Sequence, residues 1–187
     1  MAQFQHEYPN NPMTSGDGRF LSDNFASYIN FFESEVSRCK DFLVDSPPHN
    51  SLYFQKQLEA VGNYYENVSD NNLFYTTKII ENPDSTNGYY TVSNNMEYYA
   101  RGDSLLAEFF SEALDAAKLD LDAYFEGKDF APDEVVFVVF HAGLSQDFAY
   151  PSLDPTIYDL NSAYIDTMMM KDIVPTNVLQ GGNSYDI

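Results

Sequence analysis

The sequence predicts an α/β domain: a mixed sheet with packed helices. Three observations carry that expectation. Val135 to Phe140 is an unbroken β-branched and aromatic run, preceded by Asp133 and Glu134 and followed by His141, Ala142 and Gly143. A run of this kind reads as a strand buried on both faces, at the centre of a sheet. Residues 51–68 and 104–118 carry apolar side chains at helical spacing. Between them lie two segments of high β propensity, 73–80 and 89–92. Helices and strands thus interleave, as in a layered α/β fold.

Each element has a local reason. Ala2-Gln3-Phe4-Gln5 is a short half-apolar piece, and Pro9 to Gly18 is dense in Pro, Asn and Gly, which mark turns. Residues 25–44 show a ragged helical face that Ser46-Pro47-Pro48 ends. In 51–68, Ser51 can cap, and Leu52, Phe54, Leu58, Val61, Tyr65 and Val68 form one stripe. Asn67 to Asn72 stops that helix, and Asn82 to Gly88 is a turn. In 104–118, Asp103 or Ser104 can cap and Leu105, Leu106, Phe109, Phe110 and Ala113 share a face. An acidic loop, 120–134, leads into the 135–140 strand. After Gly143 the chain becomes rich in Pro, Asn, Asp and Ser, with short strands at 157–160 and 164–165 as the regular elements on offer. The expected division is a sheet subdomain over 1–150 and an irregular segment over 151–187.

Composition narrows the function. The 187 residues are 44% hydrophobic with 15 Tyr and 15 Phe, enough for a sizeable core. The net charge is −20 and the pI about 4.1. That argues against nucleic acid as a partner, because phosphate binding needs Lys and Arg, and against adhesion to anionic membranes. No stretch is long and apolar enough to span a bilayer, and no signal peptide is visible. The single cysteine, Cys39, has no internal disulfide partner and reads as a packed thiol.

Catalytic signatures are absent. His6, His49 and His141 are far apart and none belongs to H-E-x-x-H. There is no G-x-S-x-G, Walker A or G-x-G-x-x-G. His141 follows the central strand, where chemistry gathers in open α/β sheets. A His that only ties its loop to backbone is the commoner outcome. Asp120, Asp122, Glu126, Asp129, Asp133 and Glu134 crowd one loop without the EF-hand pattern. Calcium at Asp129 and Asp133 stands beside the plainer reading of a solvated loop. Asn67-Val68-Ser69 is a glycosylation sequon. Arg101-Gly102-Asp103 is explained by a turn before a helix start.

Several segments, in order, resemble one family. In the immune inhibitor A type of secreted zinc metallopeptidases, a first strand with a small-residue-plus-Phe ending runs into a Thr-Gly-x-Gly loop. Ala2-Gln3-Phe4-Gln5 and Thr14-Ser15-Gly16-Asp17-Gly18-Arg19-Phe20 are similar to these. A helix ending in Tyr-Tyr-x-x-x-Ser follows in the family, as in Tyr64 to Ser69, and then a strand. A buried strand ends in His-Ala-Gly, as at His141-Ala142-Gly143. The resemblance covers residues 2–150, the part before the catalytic helix. It implies a secreted protein, a peptide or protein substrate, and a substrate cleft near His141, Ala142 and Gly143. It implies zinc too, but with ligands outside this chain, so that the chain reads as an incomplete, inactive framework. The Gly127-Lys128-Asp129 turn departs from the family's Asp-Gly-rich turn, which puts a family calcium site there in doubt. The other reading is a non-catalytic extracellular binding module with an acidic surface.

Overall fold

The computed structural model describes residues 1–5, 11–20, 48–131, 134–148 and 156–166. The expected helix at 25–44, Cys39, His6, Asp133 and the end of the chain lie outside them. The described chain is mixed α/β, with helices and a small parallel sheet. It divides into two compact units, Phe20–Tyr89 with Met1, and Ala2–Arg19 with Tyr90–Ile187.

The first unit is built on helix α1, Ser51–Val68. Its N-cap is Asn50 rather than Ser51: the Asn50 carboxamide oxygen accepts the Tyr53 amide at 3.1 Å. The helix ends where Asp70 and Asn71 enter the left-handed region, which short polar side chains tolerate. Only Phe54 of the helix is buried, in edge-to-face contact with Phe20 at 5.4 Å. Phe20 also meets Tyr89 at 4.8 Å. Leu52, Val61, Tyr65 and Val68 are exposed. The expected stripe is therefore not a core face, because helical spacing shows that side chains share a side and not what covers it. The strand expected at 73–80 is irregular chain with no ladder partner among the described residues. Leu73, Phe74 and Tyr75 are exposed, and Ile79 is the buried anchor.

The second unit holds the sheet. Strand β1, Ala2–Gln3, pairs in parallel with β2, Tyr90–Thr91, in the register Ala2 to Tyr90 and Gln3 to Thr91. On its other side Ala2 bridges His141, also in parallel. Its amide donates to Phe140 O at 2.8 Å, and its carbonyl accepts the Ala142 amide at 3.2 Å. The middle lane of the sheet is thus β1.

This corrects the expectation for 135–140. The run is not the buried centre but an outer lane, joined to β1 only at its last residues. Exposure alternates along it, and Val136 is 77% exposed. Apolar content alone does not supply neighbours, and here they are present only past Val139.

Helix α2, Met96–Tyr99, and helix α3, Asp103–Ala116, pack under the sheet. The N-cap of α3 is Gly102, whose carbonyl accepts the Leu105 and Leu106 amides at 3.0 Å; neither Asp103 nor Ser104 caps it. A further helix, α4, spans Lys118–Phe125, where a loop was expected. The core lies between β1 and α3. Phe4, Met96, Tyr99 and Ala107 are fully buried, and the Phe4 and Phe109 rings stack at 5.3 Å. Close ring packing of this kind adds to the burial of apolar area.

Candidate functional site

The first four residues set the position of His141. Its backbone is fixed beside Ala2, and its ring lies 6.1 Å from Phe4 and 6.3 Å from Phe109. Nδ1–H donates to the Ala142 carbonyl at 2.9 Å. Burial lowers the imidazole pKa below its ordinary value, against the opposing pull of the Ala142 carbonyl and Asp159. A neutral ring whose Nδ1 carries the proton leaves Nε2 as the acceptor. The expected loop-tying bond of His141 is therefore present.

Ala142 is buried, and Gly143 could be no other residue. Its φ is +89°, and a Cβ there would lie 2.9 Å from Met96 Cε and 3.3 Å from the Ser15 carbonyl. The Leu144 amide then donates to Ser15 Oγ at 2.8 Å. So the His-Ala-Gly turn is clasped by β1 on one side and by the 14–18 loop on the other. That loop returns to the sheet where the Phe4 amide donates to Gly18 O at 2.9 Å.

Past this turn a cleft of about 800 Å³ opens between residues 135–141 and residues 160–166. Leu106, Phe109 and Phe110 of α3 line it. Ile165 and Phe110 pack against the buried Ala107. The 143–148 turn joins the two walls: Gln146 N donates to Leu160 O at 2.9 Å, and Ser162 N donates to Asp147 Oδ2, also at 2.9 Å. Ser145 Oγ donates to the same Asp147 oxygen at 2.8 Å. These bonds hold the Asp147 carboxyl below the usual carboxylate range, the Ser162 amide first among them. Asp159, buried in the second wall, accepts the Ser15 amide at 2.6 Å and the Thr156 hydroxyl at 2.5 Å.

The sequence pointed to His141, Ala142 and Gly143 but not to the 160–166 wall or to Asp147 and Asp159. The segments expected as strands at 157–160 and 164–165 join no ladder among the described residues. The one local signal was Ser145-Gln146-Asp147, whose hydroxyl and carboxylate bond neighbouring backbone as such residues do in turns.

The acidic stretch resolves into separate roles. Asp120 accepts the Tyr90 hydroxyl at 2.7 Å, Asp122 lies 3.5 Å from Lys118, and Glu134 accepts the Ala131 amide at 2.8 Å. Asp129 is exposed. Among the described residues no group of three His, Cys, Asp or Glu side chains could hold a metal ion, so these residues offer zinc no ligand set. Arg101 of the Arg-Gly-Asp tripeptide pairs with Glu97 and lies 4.9 Å over the Tyr158 ring. No helix among the described residues is long and apolar enough to cross a membrane. Compared with protein-family models, curated proteins and solved structures, the chain matches none.

Proposed function

We propose that this chain is the framework part of a secreted zinc metallopeptidase-like protein, without peptidase activity of its own. In that reading it builds the sheet beside a peptide-binding cleft, and zinc and the general base come from elsewhere. One observation supports it most. Three segments that carry the family resemblance, Ala2–Gln5, Thr14–Arg19 and His141–Gly143, meet around one point. Ala2 bonds Phe140 and Ala142, Phe4 bonds Gly18, and Ser15 bonds Leu144. Segments far apart in sequence that close on each other form a single structural unit.

The reading frame downstream of Ile187 tests this. The result expected is an in-frame H-E-x-x-H helix, with chelator-sensitive casein cleavage by the extended protein and none by residues 1–187. A stop codon directly after Ile187, or zinc-dependent cleavage by residues 1–187 alone, overturns it. The second reading, a non-catalytic extracellular binding module with an acidic surface, draws its support from the open cleft. A matching downstream helix without the zinc ligands would favour it.

A further inference from the structure

The walls of the cleft share an unusual property. Residues 135–139 are extended, yet among the described residues nothing hydrogen-bonds their backbone N–H and C=O groups. The same holds for residues 163–165 on the facing wall. Apolar side chains stand in the open beside these bare edges: Val136 at 77%, Val138 at 55% and Tyr164 at 86% exposure. Proteins ordinarily blunt such an edge with charge, proline, a bulge or a covering segment, because an unpaired apolar edge recruits another strand. None of those devices lies within 135–139.

We propose that the cleft is a strand-insertion site. It takes an extended polypeptide segment, apolar at alternate positions and basic at its flanks, whose backbone pairs with 135–139 on one side and 163–165 on the other. The inference rests on the cleft alone and stands apart from the peptidase reading. Three features select this occupant. The first is the backbone: two unpaired edges facing one cleft present the donors and acceptors that an added strand satisfies, with strands about 4.8 Å apart. The second is the floor: Leu106, Phe109 and Phe110 give alternate side chains of an inserted strand an apolar bed. The cleft volume also falls within the roughly 300–1,000 Å³ of ordinary ligand clefts.

The third is charge. From Asp129 to Met170 the sequence has no Lys or Arg, while Glu134, Asp147 and Asp166 carry carboxylates at the ends of the cleft-forming segments. A second copy of this chain would bring another net charge of −20 to the contact, and like charge opposes association. A basic segment gains from the same field, and its binding weakens with salt.

The test is fluorescence polarisation of the labelled peptide acetyl-Lys-Val-Thr-Val-Thr-Val-Lys-amide with the full 187-residue chain at low salt. The expected result is equimolar binding that weakens about tenfold or more when alternate peptide amides are N-methylated, and likewise when both Lys are replaced by Glu. Val138→Pro, which removes one edge N–H, weakens binding to a similar degree, while Val138→Thr keeps it and reports on folding. Equal binding by the N-methylated or the Glu-flanked peptide overturns the proposal. So does absence of binding, whether the chain sediments as a monomer or as a dimer with itself. If the peptide fails while a downstream helix completes a peptidase, only this inference falls. If the peptide binds and no such helix exists, only the peptidase reading falls.

Discussion

Gly143 faces Met96 so closely that no side chain fits between them: a Cβ on Gly143 would lie 2.9 Å from Met96 Cε. Met96 is fully buried, and Gly143 adopts a positive φ, so both space and backbone oppose a substitution. Gly143→Ala should cost about 2–4 kcal/mol, the sum of a left-handed conformation and overpacking. Urea unfolding followed by circular dichroism measures it. In Met96→Ala the space is relieved and the backbone cost stays, so the two changes should be less than additive. An unchanged midpoint for Gly143→Ala would contradict the clasp between the turn and α2.

Glu112 joins α3 to the segment after β2. Its carboxylate accepts the Ser93 amide at 2.7 Å and also the Ser93 and Tyr99 hydroxyls. Tyr99 is fully buried, so removing the acceptor strands its hydroxyl. Glu112→Ala should cost about 1–3 kcal/mol. Tyr99→Phe, which removes the donor as well, should cost less, and a double-mutant cycle should show positive coupling.

Burial, together with Glu112, pushes the Tyr99 phenol up to about 12. Above pH 10 the unfolded chain releases this proton while the folded chain retains it. Stability is therefore fully present below pH 10 and declines as pH rises towards about 12. Alkaline unfolding curves should show this loss in the wild type and a smaller one in Tyr99→Phe.

His141 has the opposite dependence. Burial lowers its pKa from the ordinary 6.5, so below that pH the unfolded chain takes up a proton that the folded chain refuses. Its contribution is present above pH 6.5 and is lost as pH falls through the folded value. His141→Gln should flatten this part of the acid profile, and imidazole resonances in NMR should titrate below the free value. A His141 titrating at or above 6.5 would contradict its placement between Phe4 and Phe109.

Much of the local structure was legible in the sequence. Helix α1 spans the expected residues because periodic apolar positions, a polar start at Asn50 and an Asp-Asn stop all agree. β1 and β2 were visible as short pieces, but their pairing joins Ala2 to Tyr90 and His141, which no local pattern encodes. Helix α4 was hidden because Asp120 and Asp122 suggested a loop, and because its apolar residues do not share one buried face; Leu119 is 82% exposed. The 135–140 run shows the limit most clearly. Its composition is that of a buried strand, and burial depends on neighbours that the composition does not contain. Of the candidate site, His141 and Gly143 stood out. The second wall did not, since Asp147 and Asp159 act through backbone bonds made only in the fold.

The most direct measurement is residue-resolved amide hydrogen exchange of the free chain. The account predicts fast exchange for the amides of Val136, Phe137, Val138 and Val139, which have no acceptor among the described residues. It predicts protection for Ala2, Val92 and Ala142, which donate across the sheet. Protection at 136–139 equal to that of Val92 would contradict it, because the edge assigned as open would then be paired.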